Sequence, residues 1–274
     1  MKILVTGNLG YVGPSVITQL RLSNPSAQIV GMDLGFFAHC LTGVYSLPES
    51  ALDCQIYKDV RDVVQDDLEG FDKVIHLAAV SNDPMGKEFT KVTYEINCQS
   101  STKIATLAKR AKVRNYVFAS SCSVYGEASE FAKKEDDELN PLTAYAKSKI
   151  DAEAELERLA SENFIITCLR FATACGFSAR TRLDLVLNDF VAAAISNGVI
   201  NILSDGNPWR PLIHVSDMGR AIDWAIDRQA SNGGQMLVVN AGCDEWNYQI
   251  KELAMAVAEE IPDTNIKINL DAAP

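Results

Sequence analysis

Residues 2–13 read Lys-Ile-Leu-Val-Thr-Gly-Asn-Leu-Gly-Tyr-Val-Gly, and this stretch decides the fold class. Its first five residues form an apolar run of strand length, and a helical pattern follows the last glycine to about Leu22. Glycines at positions 7, 10 and 13 fit a tight turn that lets a pyrophosphate approach the backbone at a helix N-terminus. The alternative is a glycine-rich turn that binds no ligand.

A second apolar run, over residues 28–32, ends in Asp33, roughly 20 residues beyond the glycine turn. A carboxylate at this point of a strand–helix–strand unit binds the ribose hydroxyls of an adenosine. It would repel a 2′-phosphate, and no arginine follows Asp33 closely, so the sequence favours NAD over NADP. We therefore predict that NAD binds at Asp33 and at the loop residues Gly7, Gly10, Tyr11, Val12 and Gly13.

The alternation of apolar runs and helical patterns continues along the chain. Further strands are predicted over residues 54–58, 73–77, 116–119 and 164–171, with helices between most of them. Six such strands indicate an open parallel sheet, whose ligands bind at the carboxyl ends of the strands. His76 is expected to be a buried strand-end residue. The small residues after it leave room for a cofactor ring or its phosphates: Leu77, Ala78 and Ala79.

Tyr145 and Lys149 lie four residues apart in a predicted helix over residues 143–159, so their side chains share one face. A tyrosine in water loses its proton only near about pH 10, but a neighbouring ammonium favours the phenolate and makes it a usable base. Ser121 ends a predicted strand and can hydrogen-bond the same substrate hydroxyl. The sequence thus predicts a proton-transfer site. The alternative is a tyrosine and a lysine on the surface of a helix.

The composition argues against several classes of function. The 274 residues carry a formal net charge of −11, and 47% of them are hydrophobic. Such an acidic chain is not expected to bind nucleic acid or an anionic membrane, and no signal peptide or apolar run of ~18 residues predicts secretion or a membrane span. The seven cysteines lack a CxxC pair and the three histidines are dispersed, which indicates reduced thiols and no metal site. We expect a cytoplasmic protein.

The chain resembles the extended short-chain dehydrogenase/reductase family, whose NAD-dependent sugar-nucleotide epimerases and dehydratases include UDP-glucose 4-epimerase. The resemblance covers nearly the whole chain, and it is specific because independent motifs follow one another in the order found in that family. It implies an α/β fold, a Rossmann doubly wound parallel sheet with a smaller C-terminal substrate-binding cap. The matching segments are residues 6–13, 33, 59–60, 76–79, 120–126, 141–149, 169–173, 205–210 and 213–217.

The resemblance also implies a role for individual positions. Tyr145 is the base, and Lys149 lowers its pKa and binds the nicotinamide ribose. Ser121 is the third catalytic residue. Asp59 and Val60 belong to the adenine pocket, and the small residues 77–79 complete the cofactor site.

Among the residues expected to contact the substrate, this chain departs from some members of the family. The 4,6-dehydratases of the family carry an Asp-Glu pair where this chain has Cys122 and Ser123, so dehydration is disfavoured. Cys122 is either an acid–base residue, as in some 3,5-epimerases, or a small buried hydrophobe. Arg210 grips the substrate diphosphate or forms a loose ion pair at the rim. Arg180 and Arg182 reach the nucleotide or sugar or are solvated loop charges. The residues predicted to bind substrate are Ser121, Cys122, Ser123, Arg182, Asn188 and Arg210.

The C-terminal part is expected to be mainly a cap. We predict a Rossmann domain over residues 1–172, with residues 211–240 returning to it, and a cap over residues 173–210 and 241–274. Compared with the family, the end at Pro274 indicates either a reduced cap or a truncated chain. Within the cap we predict helices over residues 183–197 and 250–260 and a strand over residues 200–203.

The family builds a four-helix dimer interface from the helices that correspond to residues 91–112 and 144–160, so we expect a homodimer. Residues 171–190 resemble a branch of the family that acts on nucleotide-activated sugars for surface glycans, which predicts a role in polysaccharide biosynthesis.

Together these observations predict an NAD-dependent epimerase of a nucleotide-activated sugar that acts at C4 through a transient 4-keto intermediate. One alternative is a nucleotide-sugar 4-dehydrogenase that releases a keto-sugar and NADH, and another is a 3,5-epimerase. A third is an NAD-binding regulatory protein without chemistry. The intact set of Ser121, Tyr145 and Lys149 argues against the regulator, because a sensor does not need a tyrosine of depressed pKa.

Overall fold

The structure, a computed structural model, describes residues 1–81, 88–126 and 132–269. Strands and helices alternate as the sequence predicts, and several short strands join them in the C-terminal part. Numbered in chain order, the elements are β1 (Lys2–Thr6), α1 (Gly13–Ser23), β2 (Gln28–Asp33), β3 (Cys54–Tyr57), β4 (Lys73–His76), α2 (Thr90–Tyr94), α3 (Ser101–Arg110), β5 (Asn115–Ser121), α4 (Ala144–Glu157), β6 (Ile165–Phe171), β7 (Thr173–Cys175), α5 (Val186–Asn197), β8 (Val199–Ile202), β9 (Trp209–His214), α6 (Val215–Ile226), β10 (Met236–Ala241), β11 (Asn247–Gln249), α7 (Ile250–Glu260) and β12 (Asn265–Ile268).

Seven strands form one parallel sheet in the order β10-β6-β5-β4-β1-β2-β3. The strand order reverses at β1, with β2 and β3 on one side of it and β4, β5, β6 and β10 on the other. A crevice opens at such a reversal, beyond the carboxyl ends of the strands. Thr6 at the end of β1 and His76 at the end of β4 are register partners and flank this crevice. The predicted doubly wound sheet is confirmed.

Helices cover both faces of the sheet and create two hydrophobic cores. On one face α3 and α4 pack against the strands, and Leu156 of α4 shares a core with Leu4 of β1. On the other face α1 and α6 pack together, and Leu20 of α1 shares a core with Ile3. Alternate residues of β1 thus enter opposite cores, as the two-residue period of a strand requires. None of the described helices is long and apolar enough to cross a membrane.

The C-terminal elements form a third hydrophobic cluster. Helices α5 and α7 pack with the parallel pair β8 and β12, and the cluster includes Phe190, Ile200 and Leu253. Beside it, β7, β9 and β11 form a small three-stranded sheet. Because α6 begins directly after β9, this small sheet is joined to the core of the main sheet without an intervening loop.

Two predicted helices differ in detail from the structure. The helix predicted over residues 91–112 contains a π-helical stretch (Glu95–Ser100) between α2 and α3, and it ends before Lys112, whose φ is +64°. The helix predicted to start at residue 183 begins instead at Val186, because the backbone of Leu185 is extended. Neither difference shifts the residues proposed for the site.

Candidate active site

The turn between β1 and α1 forms a cradle with no room for a side chain at Gly7 or Gly13. Gly7 has a φ of +73°, and a Cβ there would lie 2.5 Å from the backbone nitrogen of Ala78. A Cβ on Gly13 would lie 1.9 Å from the carbonyl oxygen of Asn8. Helix α1 begins at Gly13 without a side-chain cap or an acidic residue in its first turn, so its N–H groups can face an anion. The cradle fits a dinucleotide pyrophosphate.

The side chains of Tyr11 and Val12 contact other parts of the protein. The Tyr11 hydroxyl donates to the carbonyl of Gly176 at 2.7 Å, and burial raises the pKa of Tyr11 to about 12. Val12 packs against the core shared by α1 and α6. The N–H of Gly10 donates to Gly7 at 3.2 Å and closes the turn. The cofactor-binding role of Tyr11 and Val12 stays a prediction.

Asp33 holds the end of β2 against the glycine turn. One carboxylate oxygen accepts the N–H of Leu9 at 3.1 Å, and the other accepts the N–H of Gly35 at 2.7 Å. The carboxylate thus stands at the carboxyl end of its strand, beside the cradle, where a ribose of the dinucleotide would lie.

Asp59 and Val60 lie beyond the end of β3. The Asp59 carboxylate caps a short 3₁₀ turn and pairs with Arg61 at 2.7 Å, and the hydrogen bond from Arg61 holds the pKa of Asp59 below its usual range. Val60 is buried. Their adenine-pocket role stays a prediction.

Asn97, which the sequence analysis did not single out, fixes the segment after β4. Its side chain accepts the N–H of Val80 at 2.8 Å and donates to the carbonyl of Val80 at 2.9 Å, as a neighbouring strand would. It also donates to the Ser148 hydroxyl on α4 at 3.1 Å. Asn97 lies in the π-helical stretch, a feature that often accompanies functional sites. The partly buried residues 77–79 are thereby held beside the glycine turn.

His76 is a buried, neutral strand-end residue, as expected. Ser101 donates its proton to the carbonyl of Asn97 at 2.7 Å, so the 2.9 Å bond between Ser101 and His76 must be donated by Nε2. The Nδ1 atom then accepts the Thr6 hydroxyl at 2.7 Å. Burial lowers the pKa of His76 to about 3, so the ring carries no charge at neutral pH.

Lys149 and Tyr145 lie beside the carboxyl end of β5, the strand that Ser121 ends. Ser121 is the last residue of that strand, and Thr143 caps α4 so that Tyr145 and Lys149 lie in its first two turns. The Lys149 ammonium nitrogen lies 5.6 Å from the centre of the Tyr145 ring. It also donates to the carbonyl of Ala119 at 2.8 Å, two residues before Ser121. One lysine therefore links the tyrosine to the strand that carries the serine.

The Lys149 side chain is buried, with its nitrogen 4.6 Å from the centre of the Phe118 ring. Burial lowers the pKa of Lys149 to about 8, and the negative charge of Glu153 opposes that fall. The group is consequently still an ammonium at neutral pH, the form that stabilises a tyrosinate.

A buried ion pair locks α4 to the two strands behind the site. Glu153 accepts three guanidinium hydrogen bonds from Arg170 on β6, at 2.7, 3.1 and 3.2 Å, and one from the hydroxyl of Ser120 on β5. Arg170 donates further to the Tyr125 hydroxyl at 2.9 Å. Because each buried charge has several partners, the pair fixes how α4 lies on β5, and hence where Tyr145 stands relative to the strand end.

Cys122 and Ser123 follow the strand in a 3₁₀ turn. Burial raises the pKa of the Cys122 thiol to about 11, although the charge of Arg210 opposes the rise. A protonated thiol favours the interpretation of Cys122 as a packing residue over that of a base. The Ser123 hydroxyl oxygen is buried and has no hydrogen-bond partner among the described residues, which suits a group that a substrate would satisfy.

The two arginines predicted to bind substrate differ in their partners. Arg210 on β9 is exposed and donates to the carbonyl that precedes it at 3.0 Å, and its guanidinium pairs with no carboxylate in the part of the chain that the structure describes. Arg182 instead pairs with Asp184 through bonds of 2.9 and 2.6 Å and donates to Ser81 at 2.9 Å. Arg210 is thus the better placed of the two to receive a diphosphate.

Asn188 and Arg180 serve the protein's own backbone. Asn188 accepts the N–H of Gly176 at 2.9 Å and donates to the carbonyl of Arg182 at 2.9 Å. Arg180 is not a solvated loop charge. Its side chain is only 3% exposed and pairs with Glu49 at 2.7 Å. The prediction of a solvated charge at position 180 is therefore wrong, and its contact with the nucleotide or sugar stays a prediction.

Comparison with known proteins identifies the family. A sequence profile described as the NAD dependent epimerase/dehydratase family matches residues 3–242, from β1 to the end of the main sheet. The chain belongs to this family. The match confirms the family predicted from the motifs, the enzymatic nature of the chain and its NAD cofactor.

Several members of the NAD dependent epimerase/dehydratase family resemble this chain along most of its length. It is 28% identical to an uncharacterized UDP-glucose epimerase, YtcB of Bacillus subtilis, over 81% of this chain and 71% of that protein. It is 26% identical to the UDP-glucose 4-epimerase of Corynebacterium glutamicum, over 92% of this chain and 78% of that protein.

Solved structures of the family share the fold. MoeE5, solved in complex with UDP-glucose and NAD, superimposes with a TM-score of 0.80 at 25% identity, covering 99% of this chain and 90% of that one. TunA, an NAD dependent NDP-hexosamine 5,6-dehydratase of tunicamycin biosynthesis, superimposes with a TM-score of 0.84 at 21% identity, covering 100% of this chain and 85% of that one. These likenesses confirm the doubly wound fold.

Proposed function

We propose that this chain is an NAD-dependent epimerase of a nucleotide-activated sugar and that it inverts C4 through a transient 4-keto sugar. The observation that carries the proposal is that Lys149 contacts both the Tyr145 ring and the end of β5, the strand that ends in Ser121, at the sheet edge that also holds the glycine cradle. Relatives named UDP-glucose 4-epimerase support chemistry at C4.

The three residues divide the proton transfer between them. The Tyr145 phenolate takes the proton of the sugar hydroxyl, and the Lys149 ammonium stabilises the phenolate before the transfer. Ser121 hydrogen-bonds the same hydroxyl and holds it toward Tyr145. Bound NAD supplies a hydride acceptor for the carbon of that C–OH group and a hydride donor for the opposite face of the ketone. Tyr145 then returns its proton to the re-formed hydroxyl, so that protons and electrons balance over the cycle.

The residues after Ser121 support epimerisation over dehydration. Elimination of water from the sugar needs an acid and a base besides the tyrosine. Cys122, with a pKa of about 11, and Ser123 are both neutral at pH 7 and poorly suited to either task. We propose that Ser123 hydrogen-bonds the substrate, together with Ser121, and that Cys122 shapes the pocket wall.

Arg210 is the proposed anchor for the diphosphate of the substrate. Its exposed guanidinium offers a planar set of donors without a carboxylate partner among the described residues. In this net acidic chain, one such arginine gives local positive charge where a diphosphate would bind. The third hydrophobic cluster, which holds α5 and α7, is the proposed substrate-binding cap.

The test is turnover of a panel of nucleotide sugars with NAD, followed by absorbance at the NADH band and by NMR of the product. We expect a new stereoisomer of one sugar without accumulation of NADH. Accumulation of NADH with a keto-sugar would contradict the proposal and support the 4-dehydrogenase. An unsaturated or deoxy keto-sugar would contradict it in favour of a dehydratase.

A further inference from the structure

A buried arginine fastens the loop that follows Asp33. The Arg180 Nε donates to the carbonyl of Phe37 at 3.2 Å, and Nη2 donates to the carbonyl of Ala38 at 3.1 Å. The third branch, Nη1, donates to the carboxylate of Glu49 at 2.7 Å. All three nitrogens of the guanidinium are thus used on one loop, which a planar fork can do and a single ammonium cannot.

The same loop has little apolar anchorage. The side chains of Phe36, Phe37 and Tyr45 are 73%, 57% and 108% exposed, so burial of these rings does not hold the loop in place. Its long-range backbone hydrogen bond, from the N–H of Thr42 to the carbonyl of Ala179 at 2.9 Å, goes to the segment that carries Arg180. Polar bonds to residues 179–181 therefore hold this loop.

The loop is directly coupled to the proposed cofactor site. The N–H of Gly35 donates to Asp33 at 2.7 Å, and Gly35 lies only two and three residues before the carbonyls that Arg180 binds. On the other side, the Ser178 hydroxyl donates to the carbonyl of Tyr11 in the glycine turn at 2.7 Å. Residues 176–182 thus tie together the two parts of the chain between which the adenosine and the pyrophosphate would lie.

We propose that Arg180, with Glu49, is a positioning residue for the cofactor, which holds the loop over residues 34–49 closed beside Asp33 and slows the dissociation of NAD. The inference rests on the proposed NAD site at residues 7–13 and 33, and it does not depend on which sugar reacts. Slow release suits an epimerase, because the same NAD must accept and return the hydride within one cycle.

The test measures release of labelled NAD, chased with excess unlabelled NAD and without any sugar. The variants are Arg180→Lys, which keeps the charge but not the fork, and Glu49→Gln, which keeps an acceptor but not the charge. We expect Arg180→Lys to speed NAD release about ten-fold or more, comparable to loss of one charge-assisted hydrogen bond, and Glu49→Gln to speed it less.

Arg228 supplies a matched control. It is equally buried, at 3% exposed, but it donates to Thr167 at 2.8 Å and to the carbonyl of Ile166 at 2.6 Å, near the amino end of β6 and away from the site. Arg228→Lys should lower the free energy of unfolding while leaving NAD release unchanged. Equal acceleration of release in Arg180→Lys and Arg228→Lys would overturn the proposal, because a general loss of stability would then explain both.

A second readout uses the protein without NAD. Amide hydrogen exchange over residues 34–49, and at Thr42 in particular, should be faster in Arg180→Lys than in the wild type or in Arg228→Lys. Unchanged exchange and unchanged NAD release would overturn the proposal. A wild type that binds no NAD would overturn the cofactor site as well, whereas normal NAD binding without turnover of any sugar would contradict only the proposed function.

Discussion

At the scale of single residues, the reactivity of Tyr145 depends on one neighbour. Lys149 is removed from water, held by the carbonyl of Ala119 and still protonated at neutral pH, because its pKa is about 8. A positive charge in such a dry position interacts more strongly with a nearby phenolate than it would in water. Burial therefore has two effects: it lowers the pKa of Lys149, and it strengthens the attraction between the ammonium and the Tyr145 phenolate.

Replacement of Tyr145 by phenylalanine tests the base directly. Tyr145→Phe keeps the ring and removes the proton acceptor, so kcat should fall by about 10²- to 10⁴-fold while NAD affinity changes little. Steady-state kinetics and calorimetric titration with NAD give the two quantities. The fully exposed Tyr45 provides the control variant Tyr45→Phe, which should keep its kcat. A Tyr145→Phe enzyme that retained most of its kcat would rule out the assigned role.

The pH profile tests the part played by Glu153. This carboxylate raises the pKa of Lys149 against the opposing effect of burial. In Glu153→Gln the pKa of Lys149 should fall further, so the ammonium is lost at a lower pH and the alkaline limb of kcat/KM moves to lower pH. Glu155→Gln on the exposed side of the same helix removes the same charge and should leave the limb in place. Superimposable profiles for Glu153→Gln and the wild type would contradict this role.

At the scale of elements, we expect the glycines of the turn between β1 and α1 to differ in what they are needed for: some are required for the fold and others for binding NAD. A Cβ on Gly7 would meet backbone at 2.5 Å, whereas a Cβ on Gly10 would meet nothing nearer than the Gly7 carbonyl oxygen at 3.4 Å. Gly10→Ala should therefore fold normally but bind NAD at least about ten-fold more weakly, because the added methyl stands where the cofactor approaches.

Gly7→Ala provides the contrast, since it should lose both stability and NAD binding. Urea unfolding and calorimetric titration with NAD measure the two effects for each variant. If Gly10→Ala bound NAD as tightly as the wild type, the cradle would not be the pyrophosphate site.

Some of the strands and helices could be predicted from the sequence, and others could not. The strands β1, β2, β4, β5 and β6 were predictable because both of their faces are buried, which makes them apolar runs bounded by polar residues. By contrast β7, β9, β11 and β12 are only three to six residues long and form by pairing with partners distant in sequence, so no local pattern marks them. The π-helical stretch keeps a helical spacing of apolar residues, so the sequence does not distinguish it from an α-helix.

Residues of the candidate site could likewise be predicted where a local sequence pattern marks them, and not where their partners are distant in sequence. Tyr145 and Lys149 could be predicted because one helix carries both, and Asp33 because it ends a strand at a fixed distance from the glycine turn. The burial of Arg180 could not be predicted because its partner Glu49 lies 131 residues away, and nothing local distinguishes a buried arginine from a solvated one. The only local signal for Asn97 was a polar residue at a helical position that faces the core.

At the scale of the whole molecule, the proposed homodimer depends on the helices α2 to α4. Val92 and Tyr94 on α2 are each 36% exposed, but α4 exposes no large apolar side chain, so apolar surface was found on one of the two expected helices. We expect light scattering to give twice the chain mass, and Val92→Glu to give the chain mass. Ile195→Glu, a change at a 71% exposed residue of α5, should leave the dimer intact. A monomeric wild type would contradict the proposal.

The central claim concerns the whole catalytic cycle: a hydride leaves one sugar carbon and returns to the same carbon from the other side. The most direct measurement uses the nucleotide sugar identified as substrate, with deuterium at C4, and determines by NMR and mass spectrometry where the label lies in the product. We predict that the deuterium stays on C4 of the inverted sugar and that no NADH accumulates. Loss of the label to solvent, or its transfer to released NADH alongside a keto-sugar, would contradict the proposed epimerase.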